Sequence, residues 1–227
     1  SRGRFPLGEI ILVLTNEDSL EADFAVVQAE FDLPIGHPDG VVDEAAALPA
    51  VEDGAAWPDR TDLRDLPTIT IDPRDARDFD DAVSLEMLDG GRSRIGVHIA
   101  DVSAYVQPGS LIDQSAESRG TSIYLPGRVI PMLPERLAND LCSLRPEEDR
   151  LAKSVFMVFS SEGKLLETEI CRSVIRSKRR FTYGEALAIL DSLEGRDVPA
   201  GDLPPDRADY EPILERMAFL RDCLKDA

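Results

Sequence analysis

The sequence predicts an α+β fold, a mixed sheet packed by helices, on three observations. Segments with period-two alternation occupy the middle of the chain, notably "SRIGVHIADVSAYV" (93–106) and "AKSVFMVFSSEGKLLETEICRSVI" (152–175). Helical patterns flank them, at 15–31 and again at 182–190 and 209–227. There is no internal repeat.

In chain order, "GEIILVL" (8–14) reads as a strand. Residues 15–31 read as a helix: Thr15 or Asn16 can cap it, acids fill its first turn, and Leu20, Phe24 and Val27 share a face. "DLPIGHP" breaks that pattern, and 39–48 suggest a short helix. Residues 49–67, with Pro49, Gly54, Pro58 and Pro67, read as a linker with a domain boundary near 60; Trp57 within it is expected to be a docking anchor. "TITI" and "AVSLEML" read as strands on either side of an acidic loop. "DGG" (89–91) is a hairpin signal that returns the chain into the strand at 93–106. A short helix ended by Gly120 follows, then strand and proline-broken loop in "TSIYLPGRVIPMLP". Two alternating strands joined at Ser161-Glu162-Gly163 come next, and the last two helices are separated by the proline-rich 198–205.

Composition narrows the classes. With 43% apolar residues among 227, a sizeable core can form, and no apolar run approaches the ~20 residues of a membrane span. The opening "SRGRFPLGEIILVL" reads as no signal peptide. Cys142, Cys171 and Cys223 make no CxxC pair, which fits free thiols in a reducing cytoplasm. With only His37 and His98, a histidine-rich zinc site is excluded. A net charge of −19 argues at first against a nucleic-acid partner. The charge is uneven, however. Residues 5–59 hold thirteen acids and no base, whereas 172–180 hold five bases, and Arg outnumbers Lys 21 to 4. That bias suits planar, bidentate recognition.

Asp72, Asp75, Asp78, Asp80 and Asp81 fall within ten residues. A calcium loop wants a glycine that is missing here. A solvated acidic loop and a magnesium site remain. Mg²⁺ takes carboxylate oxygens and keeps several waters, and a pair of such ions can clamp both oxygens of a phosphodiester displacement. Asp72 ends an apolar strand, while Asp78, Asp80 and Asp81 lead into another. If 78–81 are extended, Asp78 and Asp80 share a face.

"TIDPRDARDFDDAVSLE", "GVHIADVSAYVQPGSLID", "RGTSIYLPGRVIPMLPERL", "NDLCSLRPEEDRLA" and "VIRSKRRFTY", in this order from about Asp62 to Tyr183, resemble the catalytic RNB domain of the RNase II/RNase R exoribonucleases. Residues 1–35 more weakly resemble the end of the cold-shock OB barrel that precedes it in the RNase R branch. The resemblance implies residues 1–60 as barrel end plus linker and 61–227 as the N-terminal part of the catalytic domain. It implies a magnesium-dependent (manganese as substitute) two-metal 3′→5′ exoribonuclease that releases nucleoside 5′-monophosphates from single-stranded RNA in the cytoplasm.

The family's metal acids fall on Asp72, Asp78, Asp80 and Asp81, with Asp80 the one on which catalysis most depends. Asp75 stays outside the quartet. Tyr124 is implied as a base-stacking residue and Tyr183 as a contact to a ribose 2′-OH, each against a packing role. Arg128, Arg179 and Arg180, with Arg176 and Lys178, are expected along an RNA channel. His98 is expected to be a hydrogen-bonded structural residue, Asp101 a candidate support for the metals, and 139–144 a packing loop. The family places a phosphate-binding arginine, a second aromatic clamp and a basic barrel beyond Ala227. The chain is therefore expected to be part of a longer protein and nearly inactive alone. The other function class is a non-catalytic RNA-binding or scaffolding relative.

Overall fold

The computed structural model describes residues 20–225. The strand expected over 8–14 lies outside the described residues, and of the barrel end expected over 1–35 only 20–35 is described. Between 20 and 60 the chain forms two helices, α1 (Leu20–Phe31) and α2 (Asp39–Ala46), with connecting loops.

A seven-stranded sheet follows. Its strands are β1 (Thr61–Leu63), β2 (Thr68–Asp72), β3 (Asp81–Met87), β4 (Ser93–Ala100), β7 (Asp149–Phe159), β8 (Leu165–Arg176) and β9 (Arg179–Thr182), in the order β1-β8-β7-β4-β3-β2-β9. The central pairings are antiparallel, while β1 on β8 and β9 on β2 are parallel, so the sheet is mixed as expected. Between β4 and β7 lie helix α3 (Leu111–Arg119) and a separate two-stranded hairpin of β5 (Ile123–Leu125) and β6 (Arg128–Ile130).

Alternation along each strand divides the core. Ile69 and Phe181, with the half-buried Val83 and Leu85, face helices α4 (Tyr183–Leu193) and α5 (Glu211–Lys225), which contribute Ala186, Ile189, Ile213 and Leu214. Ala82, one residue before Val83, points the other way. It joins Ala100 and Ala152 under Val41, Ala45, Ile112, Leu137 and Leu144 from α2, α3 and the 137–144 segment. Trp57 packs against this second cluster, as its linker position suggested.

Two expectations are corrected. The long strand read over 93–106 ends at Ala100. Asp101 leaves extended geometry (φ −83°, ψ 72°), its carboxylate takes Arg60 at 2.7 Å and Ser103 at 2.6 Å, and a short helical turn over 102–104 follows. The linker holds strand β1, whose Arg60 neighbour reaches across β7 and β8 to the Ala152 and Ser173 carbonyls. Part of the basic run is strand β9, hydrogen-bonded to β2.

A polar seam crosses the middle of the sheet. Ser84 (β3), His98 (β4), Ser154 (β7) and Ser173 (β8) are fully buried and joined in series at 2.9, 2.7 and 2.6 Å. Each buried polar group therefore has a partner, and losing one would leave another unsatisfied at about 1–3 kcal/mol. Burial, then Arg94, pushes the His98 imidazole down to about 4, so it stays neutral at pH 7 and bonds through both ring nitrogens. The expected structural role of His98 is what the seam displays.

Gly96 lies opposite Ser84 in the ladder. A Cβ there would collide with Ser84 Oγ and come within 2.8 Å of His98 Nε2. Gly96→Ala is expected to lower the unfolding free energy in a urea titration by about 1–3 kcal/mol. An unchanged midpoint would show that the seam yields without loss.

Candidate metal centre

The acids sit where three strand ends meet. β2 and β3 run antiparallel, so Asp72, last in β2, and Asp81, first in β3, share one end of the sheet. β9 runs parallel to β2 and places Thr182 opposite Asp72. Residues 73–80 between them are loop, so the alternation expected over 78–81 holds only from Asp81 onward.

That loop is held at its backbone. Arg180 donates to the carbonyls of Pro73 and of Arg74, the latter at 3.0 Å, and its guanidinium lies 5.3 Å from the centre of the Phe79 ring. The buried Ser143 hydroxyl donates to Arg77 O at 2.7 Å and accepts from Phe79 N at 3.1 Å. Leu144 N reaches Phe79 O at 2.8 Å, and Ala100 N reaches Asp80 O at 2.9 Å. The 139–144 loop, read from sequence as packing, is thus the rear clamp of the acids. Phe79, an apolar residue amid aspartates and half-buried against the core, was the available signal that the loop is anchored.

Electrostatics binds the four acids into one cluster. Asp72 is only 7% exposed, and its Oδ2 is buried without a hydrogen-bond partner. Burial, and less strongly the charges of Asp81 and Asp78, raise its carboxyl, with a Thr70 hydrogen bond and the Arg180 charge pulling the other way. Asp80 is solvent-accessible on one side and backed by protein on the other. That backing, then Asp78, Asp81 and Asp72, push it up to about 6. Hard oxygen donors, concentrated negative charge and an orphaned carboxylate oxygen fit a hard divalent cation. Among the described residues no group of three or more His, Cys, Asp or Glu is already gathered to hold a metal.

The other candidate residues divide. Tyr124 and Tyr183 are 65% and 61% exposed. The Tyr124 hydroxyl donates to Asp78 Oδ2 at 3.0 Å. Tyr183 opens α4 directly after Thr182, which forms a capping box with Glu185. The arginines have internal partners. Arg180 holds the acid loop. Arg179 pairs with Asp206 at 2.9 Å and Glu185 at 3.2 Å. Arg176 pairs with Asp149 at 2.8 Å. Arg128 pairs with Glu21 at 3.1 Å and covers the Phe24 ring, which ties α1 to the β5–β6 hairpin. Asp101 pairs with Arg60 and Lys153.

Residues 60–223 match the RNB domain. The chain belongs to that family. The RNB chain is 52% identical over 176 residues to a ribonuclease R of Chlamydia muridarum, covering 78% of this chain and 25% of the relative. It therefore spans about a quarter of that protein's length. It superposes on the structure of Mycoplasma genitalium RNase R in complex with ribose-methylated single-stranded RNA with a TM-score of 0.78. Identity there is 28%, over 93% of this chain and 32% of the other. Yeast Ssd1, described as a pseudonuclease, shares the fold alone: TM-score 0.55 at 19% identity, over 66% of this chain and 18% of the other.

A cation entering the cluster must displace the proton that Asp80 holds up to about 6. Below that pH Asp80 is neutral, and above it the carboxylate is free. Mg²⁺ affinity measured by calorimetry is therefore expected to rise as the pH is raised from about 5 to about 7, with proton release in the lower part of that range. Asp72→Asn/Asp81→Asn should abolish the heat. A pH-independent affinity, or an unchanged heat in the double variant, would contradict the assignment.

Proposed function

We propose that this chain bears the metal-dependent centre of a 3′→5′ exoribonuclease that acts on single-stranded RNA in the cytoplasm and releases nucleoside 5′-monophosphates. The observation that carries this reading is the acid cluster: Asp72 and Asp81 at adjoining strand ends and Asp78 and Asp80 in the clamped loop between them, with one Asp72 oxygen buried and unsatisfied, beside two exposed tyrosines. The chain's relatives named ribonuclease R and the RNA-bound Mycoplasma protein support it.

Asp72, Asp78, Asp80 and Asp81 would hold Mg²⁺, or Mn²⁺ in its place, which when bound neutralises charge developing on the scissile phosphate and activates water. The chain's own residues position the RNA. The exposed Tyr124 ring offers a stacking face to a terminal base of any identity. The Tyr183 hydroxyl would meet the ribose 2′-OH that separates RNA from DNA. Arg179 and Arg180 contribute mainly by fixing the floor of the site, and Arg128 by fixing the hairpin that carries Tyr124.

The second reading is a non-catalytic RNA-binding relative, which the pseudonuclease fold of Ssd1 keeps in view. The acid cluster favours the enzyme: a buried carboxylate with one oxygen unsatisfied, and another raised to about 6 by burial and then by its acidic neighbours, destabilise a pure binder to no purpose.

Asp80→Asn keeps side-chain volume and removes one charge. In the full-length enzyme it is expected to abolish monophosphate release from a labelled single strand while leaving RNA affinity within about threefold, because affinity rests on phosphate and stacking contacts along the strand. Near wild-type turnover would exclude the assignment. Tyr124→Ala is expected to leave a longer undegraded oligonucleotide, since a stacked base contributes ~1–3 kcal/mol that short RNAs cannot replace. An unchanged product ladder would return Tyr124 to a packing role.

A further inference from the structure

Tyr124 faces two ways. Its ring is largely open to solvent, yet its hydroxyl is committed, donating to Asp78 Oδ2 at 3.0 Å. The residue is carried on β5, opposite Val129 of β6, in a hairpin outside the main sheet. The hairpin is anchored at its base: Ile130 is buried, Ser122 Oγ accepts from Met132 N at 2.9 Å, and Arg119 donates to Pro131 O at 3.3 Å. The phenol is thus delivered to the acid loop by a support independent of the strands that carry the other acids. Among the described residues no other hydrogen bond fixes the Asp78 carboxylate, which sits in the loop rather than on a strand.

A carboxylate with one oxygen held by a hydroxyl donor has its rotamer set and its other oxygen free. Partners of this kind orient metal ligands, and removing them lowers metal affinity by about ten- to a hundredfold. We propose that Tyr124 is a positioning residue for the cation: its hydroxyl aims Asp78 while its ring takes the terminal base, so that the RNA end and the metal bind with positive cooperativity through one side chain. This rests on the reading of the acids as a magnesium site and of Tyr124 as a stacking residue, and adds the coupling between them. A base that orders the ring orders the hydroxyl with it, and a cation that orders Asp78 orders the phenol. By linkage each must then raise the other's affinity by the same factor.

Tyr124→Phe separates the two roles, because it keeps the ring and deletes the hydroxyl at an exposed position where folding is not at risk. The measurement is Mn²⁺ binding followed by electron paramagnetic resonance, with and without a ribose-methylated oligoadenylate. The proteins are wild type, Tyr124→Phe, Tyr124→Ala, Asp78→Asn and Asp78→Asn/Tyr124→Phe. The proposal expects oligoadenylate to tighten Mn²⁺ binding to the wild type by about fivefold or more. Tyr124→Phe should weaken Mn²⁺ about tenfold or more and lose that tightening, while its metal-free affinity for oligoadenylate stays at the wild-type level. Tyr124→Ala should lose both. In the Asp78→Asn background, adding Tyr124→Phe should change nothing further.

Mn²⁺ affinity in Tyr124→Phe within twofold of wild type overturns the proposal, and so does tighter binding, which would mean that the phenol holds Asp78 away from the metal. Asp72→Asn/Asp81→Asn, run alongside, distinguishes the levels of failure. If it leaves Mn²⁺ binding unchanged, the metal centre itself is refuted and the coupling falls with it. If it abolishes binding while Tyr124→Phe has no effect, only the coupling is refuted.

Discussion

Four carboxylates placed at one end of a sheet repel one another, and everything near them is arranged to withstand that repulsion. Side chains alone could relieve it by swinging apart, provided the backbone beneath them could move. It cannot, because the 73–80 loop is bonded through its main chain to Arg180, Ser143, Leu144 and Ala100. The strain therefore remains in the electrostatics, as the raised carboxyls of Asp72 and Asp80. The loop is tied mainly at its backbone, and of its acidic groups Asp78 is also held, by the Tyr124 hydroxyl through one oxygen.

The clamp is only as firm as the sheet behind it. Arg180 is on β9, which exists because it pairs with β2, and Ala100 ends β4, which is tied to β3 and β7 by the Ser84–His98–Ser154–Ser173 seam. Asp101, one residue beyond, locks the turn after β4 onto Arg60 at the far edge. Helices α4 and α5 close the opposite face, with Arg216 bonded to Ser93 Oγ and Ser160 O. The supports of the acids thus extend across the whole width of the sheet.

The sequence made some of this legible and not the rest. Long strands such as β3, β7 and β8 announce themselves by alternation, and the aspartates by their spacing. β1 and β9 do not: three and four residues are too few for a period, and their parallel partners lie over a hundred residues away. The strand through 93–106 was overrun because Asp101 ends it through a side-chain bond to Arg60 that no local pattern reveals. The internal ion pairs of Arg176 and Arg179 do not show in the sequence, because their partners Asp149, Glu185 and Asp206 come from elsewhere in the chain. Donor chemistry is a property of residue type and shows in one dimension. What holds the donors is a property of contact.

The distances along the chain over which that holding acts have a consequence in time. Ser143 bonds to a residue 64 positions earlier, and Arg180 to one 107 positions earlier. Translation proceeds at about 5–20 residues per second, so the aspartates emerge several seconds before their last clamp is made. During that interval they belong to an untethered acidic segment with no sheet end to sit on. A nascent chain therefore carries all four aspartates before the strand end that gathers them is complete, and that end is not closed until synthesis has passed the strand that bears Arg180.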